Sequence, residues 1–336
     1  MERHNHPRRW CALGTAAVTP FGTTSSGEEV HKVDLSAGDL TISVLTWGAV
    51  LQDLRLNGVG NSLNLGTDHL SSYEGPMRYY GSIIGPVVNR ISAARVQIDG
   101  MMYELERNQD GRIHLHSGRQ ATHLRVWSID AVNDTSVTLS VALMDGECGL
   151  PGNRVIRVTY RIVPPATLAI EFEATTDART LMNLAFHGYW NLDGSQCWEG
   201  HSLQIAASDY LPTDQDAVPT GDRRAVMGTP MDFTQARELQ AGEPPLDHNF
   251  CLSTKVQDIR DVAWLTGQNG VRMIMATDQP GLQVYDGRDS DPPYRAIALE
   301  AQCWPDAPAN PNFPSITLDP GQTYRQNTQF TFDHVE

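Results

Sequence analysis

The chain has no apolar run long enough to span a bilayer and no low-complexity linker. It is short of positive charge: 25 Lys and Arg stand against 40 Asp and Glu, for a formal net charge of −15. Such an acidic surface argues against nucleic acid or an anionic membrane as partner. Cysteine is scarce, and Cys11, Cys148, Cys197, Cys251 and Cys303 lie far apart, odd in number and without a CxxC. A disulfide framework is therefore not expected, and a reducing, cytoplasmic setting is. GxSxG, the Walker loop, GxGxxG and HExxH are all missing. These absences leave a small molecule held by hydrogen bonds as the expected ligand, with no cofactor.

What is present is turns and alternation. The 336 residues include 28 glycines and 20 prolines, with hydrophobic residues at 40%. Val33 and Leu35, then Leu40, Ile42 and Val44, alternate with polar residues across Ala37-Gly38-Asp39, which predicts a hairpin. The same period recurs over Ser136 to Leu143, Val158 to Ile162, Leu168 to Ala174, Val271 to Met275 and Thr328 to Phe332. Helical spacing is seen only over Asp232 to Gln240, with Asp232 as N-cap. Many short strands and hardly a helix predict an all-β, antiparallel sandwich or barrel. Residues 1–18 place basic residues before a short apolar segment broken by Gly14 and Thr15, and are read as an extension; residues 19–336 are read as one domain.

Polar clusters stand out from this background. Ile297 to Leu299 is strand-like and ends in Glu300, before a loop stiffened by Pro305, Pro308, Pro311 and Pro314. Glu300 there is either a surface glutamate at a turn or a catalytic base. Arg90, after Asn89, either pairs with a carboxylate or offers a fork of donors to sugar hydroxyls. His114 and His116 fall on one face of a strand, as metal ligands would, yet Gln120-Ala121 stand where a further ligand would be wanted. His187, between Phe186 and Tyr189-Trp190, is either a satisfied core residue or part of an aromatic sugar face. Asp247 either caps a turn or grips a diol.

Taken together, the order Asn89-Arg90-Ile91, Leu115-His116-Ser117-Gly118, NLAFHGYWNL from Asn183, Asp247-His248-Asn249-Phe250, and Leu299-Glu300 followed by PDAPANPNFPS and LDPG resembles the aldose 1-epimerases, or galactose mutarotases. The likeness runs from about Thr19 to Phe332. It implies a large β-sandwich with an open sugar cleft, working on a free monosaccharide without metal or nucleotide. It implies His187 as general acid, Glu300 as general base and His116 as a residue that orients or protonates the sugar. Asn89, Arg90, Asp247 and Gln283 match positions that bind hydroxyls. The chemistry would need Glu300 as carboxylate and His187 as imidazolium at the start. Departures at Pro86, Ile113, Ser117, Phe186, Gly188, Trp190 and Asp286 put the identity of the sugar in doubt. Rival readings are a non-catalytic carbohydrate-binding protein, a relative serving a phosphorylated, sulfonated or acidic sugar with Arg288 or Arg295 as cation, and glycoside hydrolysis by Asp247 and Glu300.

Overall fold

A computed structural model describes residues 15–335. Three sheets carry the fold. The first takes Thr15–Thr23, Glu29–Ala37, Leu40–Leu45 and Leu51–Leu56 in simple chain order. The predicted hairpin is its second connection, with Ala37 opposite Leu40 and Gly38 at a φ of 58° in the two-residue turn. The first strand begins at Thr15, so residues 15–18 belong to the sheet and not to an extension; residues 1–14 lie outside the described residues.

The largest sheet has nine strands, ordered Ser128–Asn133, Ser136–Leu143, Arg154–Val163, Thr167–Thr176, Tyr324–His334, Val271–Thr277, Arg260–Thr266, Ser202–Ile205 and Arg237–Glu238. Arg154–Val163 and Val271–Thr277 bury every second side chain, as their period-two sequences require. The Tyr324–His334 strand is inserted between Thr167–Thr176 and Val271–Thr277 and joins the two halves of the sheet. One contiguous apolar core runs from Ile42 and Val44 of the first sheet, through Ile156, Ile170 and Phe330 of the second, to Val284 and Leu299 of the third. The fold is the expected antiparallel β-sandwich.

The predicted helix over 232–240 does not form. Asp232 Oδ1 instead accepts from Thr234 N at 3.1 Å and closes a side-chain turn, while Arg237–Glu238 adds to the sheet edge beside Ser202–Leu203. The stretch offered helical spacing, but burial of Phe233 and Leu239 and the free edge decided its conformation.

The third sheet positions the site. Its order is Tyr189–Trp190, Ile297–Gln302, Gly281–Tyr285, Asp247–Cys251, Asp209–Tyr210 and Arg224–Ala225. Register sets its two faces. Glu300 lies opposite Gln283, Asn249 opposite Gln283 on the other side, and Asp247 opposite Tyr285. Alternation then puts Asp247, Gln283, Tyr285 and Glu300 on one face and Phe250, Leu282, Val284 and Leu299 on the core face. Glu300 is the fourth of six residues in its strand, not its end. All six are buried, so no alternation in the sequence marked the true end.

Candidate active site

The face just described opens into a cavity of about 560 Å³. Its lining includes His116, His187, Glu300, Asn89, Arg90, Asp247 and Gln283, the seven residues to which the resemblance gives catalytic or hydroxyl-binding roles. Each gets there by a local device.

His187 sits between the short strands Ala185–Phe186 and Tyr189–Trp190, and its peptide is held on both sides. Its N–H donates to Ser82 O and its carbonyl accepts from Gly81 N, both at 2.9 Å. Gly81 has a φ of 66°, and an added Cβ would lie 2.3 Å from Leu51 O. Gly81→Ala is expected to cost about 2 kcal/mol or more, read as a lower denaturant midpoint with unchanged slope. Gly188 is fixed for another reason: a Cβ there would fall 2.4 Å from the Phe186 ring.

His116 and Asn89 both adopt left-handed backbone, with φ of 51° and 65°. They bind each other twice: His116 N donates to Asn89 O at 3.0 Å, and Asn89 N donates to His116 Nδ1 at 3.1 Å. Nδ1 is therefore the acceptor, and the ring proton of neutral His116 is on Nε2. The turn at His116 also separates the two histidines of the HxH pair. His114 points away, its Nδ1 2.7 Å from Glu106 O, and is absent from the cavity lining. No metal-binding group of three or more His, Cys, Asp or Glu occurs among the described residues.

Arg90 and Asp247 form an ion pair at 3.1 Å. Gln283 Nε2 donates to the other carboxylate oxygen at 2.7 Å, and Arg90 Nε donates to Gln109 Oε1 at 3.0 Å. This chain fixes an array of donors and acceptors suited to vicinal hydroxyls. The proline loop supports it from behind. Asp306 accepts from Ser92 N at 2.9 Å and from Ser92 Oγ at 3.1 Å, two residues after Arg90. Cys303 and Asn183 pair through two hydrogen bonds of 2.9 and 3.2 Å, joining the strand of Glu300 to the segment of His187.

At the cavity floor His187 Nε2 lies 3.5 Å from Glu300 Oε1. The two side chains are 5% and 2% exposed. Among the described residues His187 Nδ1 and Glu300 Oε2 have no hydrogen-bond partner within the protein. Burial pushes the His187 imidazole down to about 3. Burial also drives the Glu300 carboxyl well above the usual range, the Asp247 charge adding to this and Arg90 opposing it. Burial thus opposes charge on both side chains.

Four residues not singled out as site residues complete the walls. Tyr79, His187, Tyr189 and Tyr80 form a stack of near-parallel rings, with centroids 5.9, 5.1 and 3.9 Å apart in turn. Tyr285 meets Tyr189 edge-on at 6.4 Å. Tyr189 was signalled as an aromatic beside His187; Tyr79 and Tyr80 precede Gly81, and Tyr285 lies in the Gln283 strand. Tyr79 also lies 5.1 Å from the ring of His123, a histidine 2% exposed that does not line the cavity.

The departures lie elsewhere. Phe186 and Trp190 point into the core, where Trp190 meets Phe330 at 4.8 Å. Ser117 Oγ bridges Val87 N and O at 2.9 and 3.0 Å. Pro86, Ile113, Gly188 and Asp286 are also outside the lining. None of the seven substituted positions lines the cavity. Arg288 is spent on Asp286, at 2.6 Å, whereas Arg295 and Arg78 do line the cavity.

Known proteins share this architecture. The sequence model of a family described as "Aldose 1-epimerase" matches residues 31–331. A galactose mutarotase from Rattus norvegicus is 32% identical, across 94% of this chain and 97% of its own length. An aldose 1-epimerase from Escherichia coli (strain K12) is 30% identical, across 87% and 92%. The crystal structure of an aldose epimerase homologue from C. elegans superposes with a TM-score of 0.82 at 29% identity, covering 88% of this chain and 96% of that one. A galactose 1-epimerase from Lactobacillus acidophilus has a TM-score of 0.85, covering 96% and 100%; at 23% identity it speaks for the fold alone. On the match over residues 31–331 and the near full-length identity to these relatives, the chain belongs to the aldose 1-epimerase family.

Proposed function

We propose that the protein is a mutarotase: it interconverts the α and β anomers of a free aldose by opening and reclosing the ring. The observation that carries this reading is the buried His187–Glu300 pair at 3.5 Å on the floor of a sugar-sized cavity. Asn89, Arg90, Asp247 and Gln283 grip hydroxyls, His116 offers its Nε2 proton, and the tyrosine stack takes the C–H face of the ring.

The proton balance follows from the pair. Ring opening takes a proton from the anomeric hydroxyl and gives one to the ring oxygen, so it needs one acid and one base. With Glu300 at the hydroxyl and His187 at the ring oxygen, opening starts from carboxylate plus imidazolium. It ends with carboxyl plus neutral imidazole, and reclosure on the other face of the rotated aldehyde runs the transfers backward. Burial of both side chains favours the second, uncharged placement. Both placements hold a single proton on the pair, whose nearest polar atoms are 3.5 Å apart.

Polarimetry on freshly dissolved α-galactose and α-glucose tests the reading. Acceleration over the buffer rate that disappears in His187→Asn supports it; sugar binding without acceleration would favour the non-catalytic reading. A phosphorylated or acidic aldose is the second substrate class to try, because Arg78 and Arg295 line the cavity with no salt-bridge partner among the described residues. Activity is expected to survive exhaustive chelation, because His114 and His116 are turned apart. Loss that added metal restores would reinstate them as ligands.

A further inference from the structure

Asp286 is 0% exposed and absent from the cavity lining, yet its side chain is richly hydrogen-bonded. Its carboxylate accepts four hydrogen bonds. Oδ1 takes Arg288 N at 3.1 Å and Arg288 Nε at 2.9 Å. Oδ2 takes Arg288 Nη2 at 2.6 Å and the backbone N–H of Leu246 at 3.0 Å. The backbone of Asp286 adds a fifth bond, donating to Leu246 O at 3.0 Å. Both peptide groups of Leu246 are thus held by one residue, directly before Asp247.

Asp247 is the residue whose carboxylate meets Arg90 and Gln283 in the cavity. The other arm of the clamp folds the rim. After Gly287, the chain returns so that Ser290 N and Tyr294 N both donate to Gly287 O at 3.0 Å. That return brings Asp289, Ser290, Asp291 and Arg295 to the cavity mouth, with Asp289 N on the Tyr285 hydroxyl at 3.1 Å. A buried ion pair is a poor way to gain stability, since a well-packed apolar pair does as well or better. What it does supply is fixed geometry between two elements, here the start of one cleft strand and the loop leaving its neighbour.

We infer that Asp286, tied to Arg288, is a positioning residue that sets sugar affinity through Asp247 and the rim loop. The inference rests on the mutarotase reading for its kinetic consequence. Asp286→Asn keeps the shape and removes the charge, and is expected to raise KM about 10-fold with kcat within about twofold of wild type. The same change made in an Asp247→Asn background is expected to raise KM little further, because the path is already cut. Arg288→Gln, at a partly exposed position, is the milder second variant and should shift KM in the same direction. A lower melting temperature with unchanged KM, or full additivity with Asp247→Asn, would overturn the proposal.

Hydrogen exchange reads the positioning claim without any sugar, so it stands or falls apart from the catalytic reading. In Asp286→Asn, amide exchange at 246–249 and 283–285 is expected to rise at least about 10-fold while Arg154–Val163 is unchanged. A uniform rise across all strands would show general loosening and refute a local clamp. A wild type that fails to accelerate anomer exchange would refute the mutarotase reading, with the exchange result still deciding the clamp.

Discussion

Replacing Glu300 by glutamine is expected to slow anomer exchange by about 10²- to 10⁴-fold while leaving sugar affinity within a few-fold of wild type. Glutamine keeps the size of the side chain and can still hydrogen-bond the sugar, but it cannot take up or release the proton that the pair shares. His187→Asn should fall in the same range. The double variant should lose little more than either single, because an acid without its base completes no transfer. Polarimetry gives the rate, and calorimetric titration of Glu300→Gln with galactose gives the affinity. Near-normal turnover in Glu300→Gln would remove Glu300 from the acid–base role, and strictly additive losses would mean that the two residues do not act as a unit.

The second large effect is on stability at mildly acid pH. Burial lowers the pKa of His114, His116, His123, His187, His201 and His248, reaching about 3 for His123 and His187. Below about pH 6.5 the unfolded chain binds protons at these positions and the native chain does not. Stability is thus fully present above that range and is lost as pH falls toward about 3. Glu300 and Asp306, whose carboxyls are raised by burial, have the opposite sign and offset part of the loss. His123 isolates the effect, since no carboxylate is among the groups that shift it. At pH 5 it alone is expected to cost about 2 kcal/mol relative to pH 7.5, a large share of a typical margin of about 5–15 kcal/mol. Urea unfolding at the two pH values should show a drop in wild type that is smaller by about 2 kcal/mol in His123→Asn. An identical pH dependence in the two proteins would mean that His123 protonates freely in the folded state.

Much of this was legible in the chain, and the illegible parts have physical causes. Strands with one wet face, such as Arg154–Val163, advertise themselves by alternation. Ile297–Gln302 is buried throughout, so it reads as a short apolar run and its end was misplaced. The motif order brought out seven of the residues that line the cavity, because their types and spacing match a recognisable pattern. It could not show that His116 and Asn89 need left-handed backbone, a property of the turn and not of either residue type. Nor could it show protonation, which depends on how dry the floor is. The seven departures looked like changes in the cleft only because they neighbour cleft residues along the chain; alternation sends Phe186 and Trp190 to the core.

The strand Tyr324–His334 comes later in the chain than every strand it joins, yet it lies in the interior of the nine-stranded sheet. During synthesis, Thr167–Thr176 and Val271–Thr277 therefore each present a raw hydrogen-bonding edge until residues 324–334 leave the ribosome. Those two edges are 95 residues apart in sequence at their nearest ends, and the late strand is the one that hydrogen-bonds to both. A chain cut short before Tyr324 would lose more than its last strand. It would keep two sticky, apolar-backed edges open for good, the condition in which β-proteins are captured by their own neighbours.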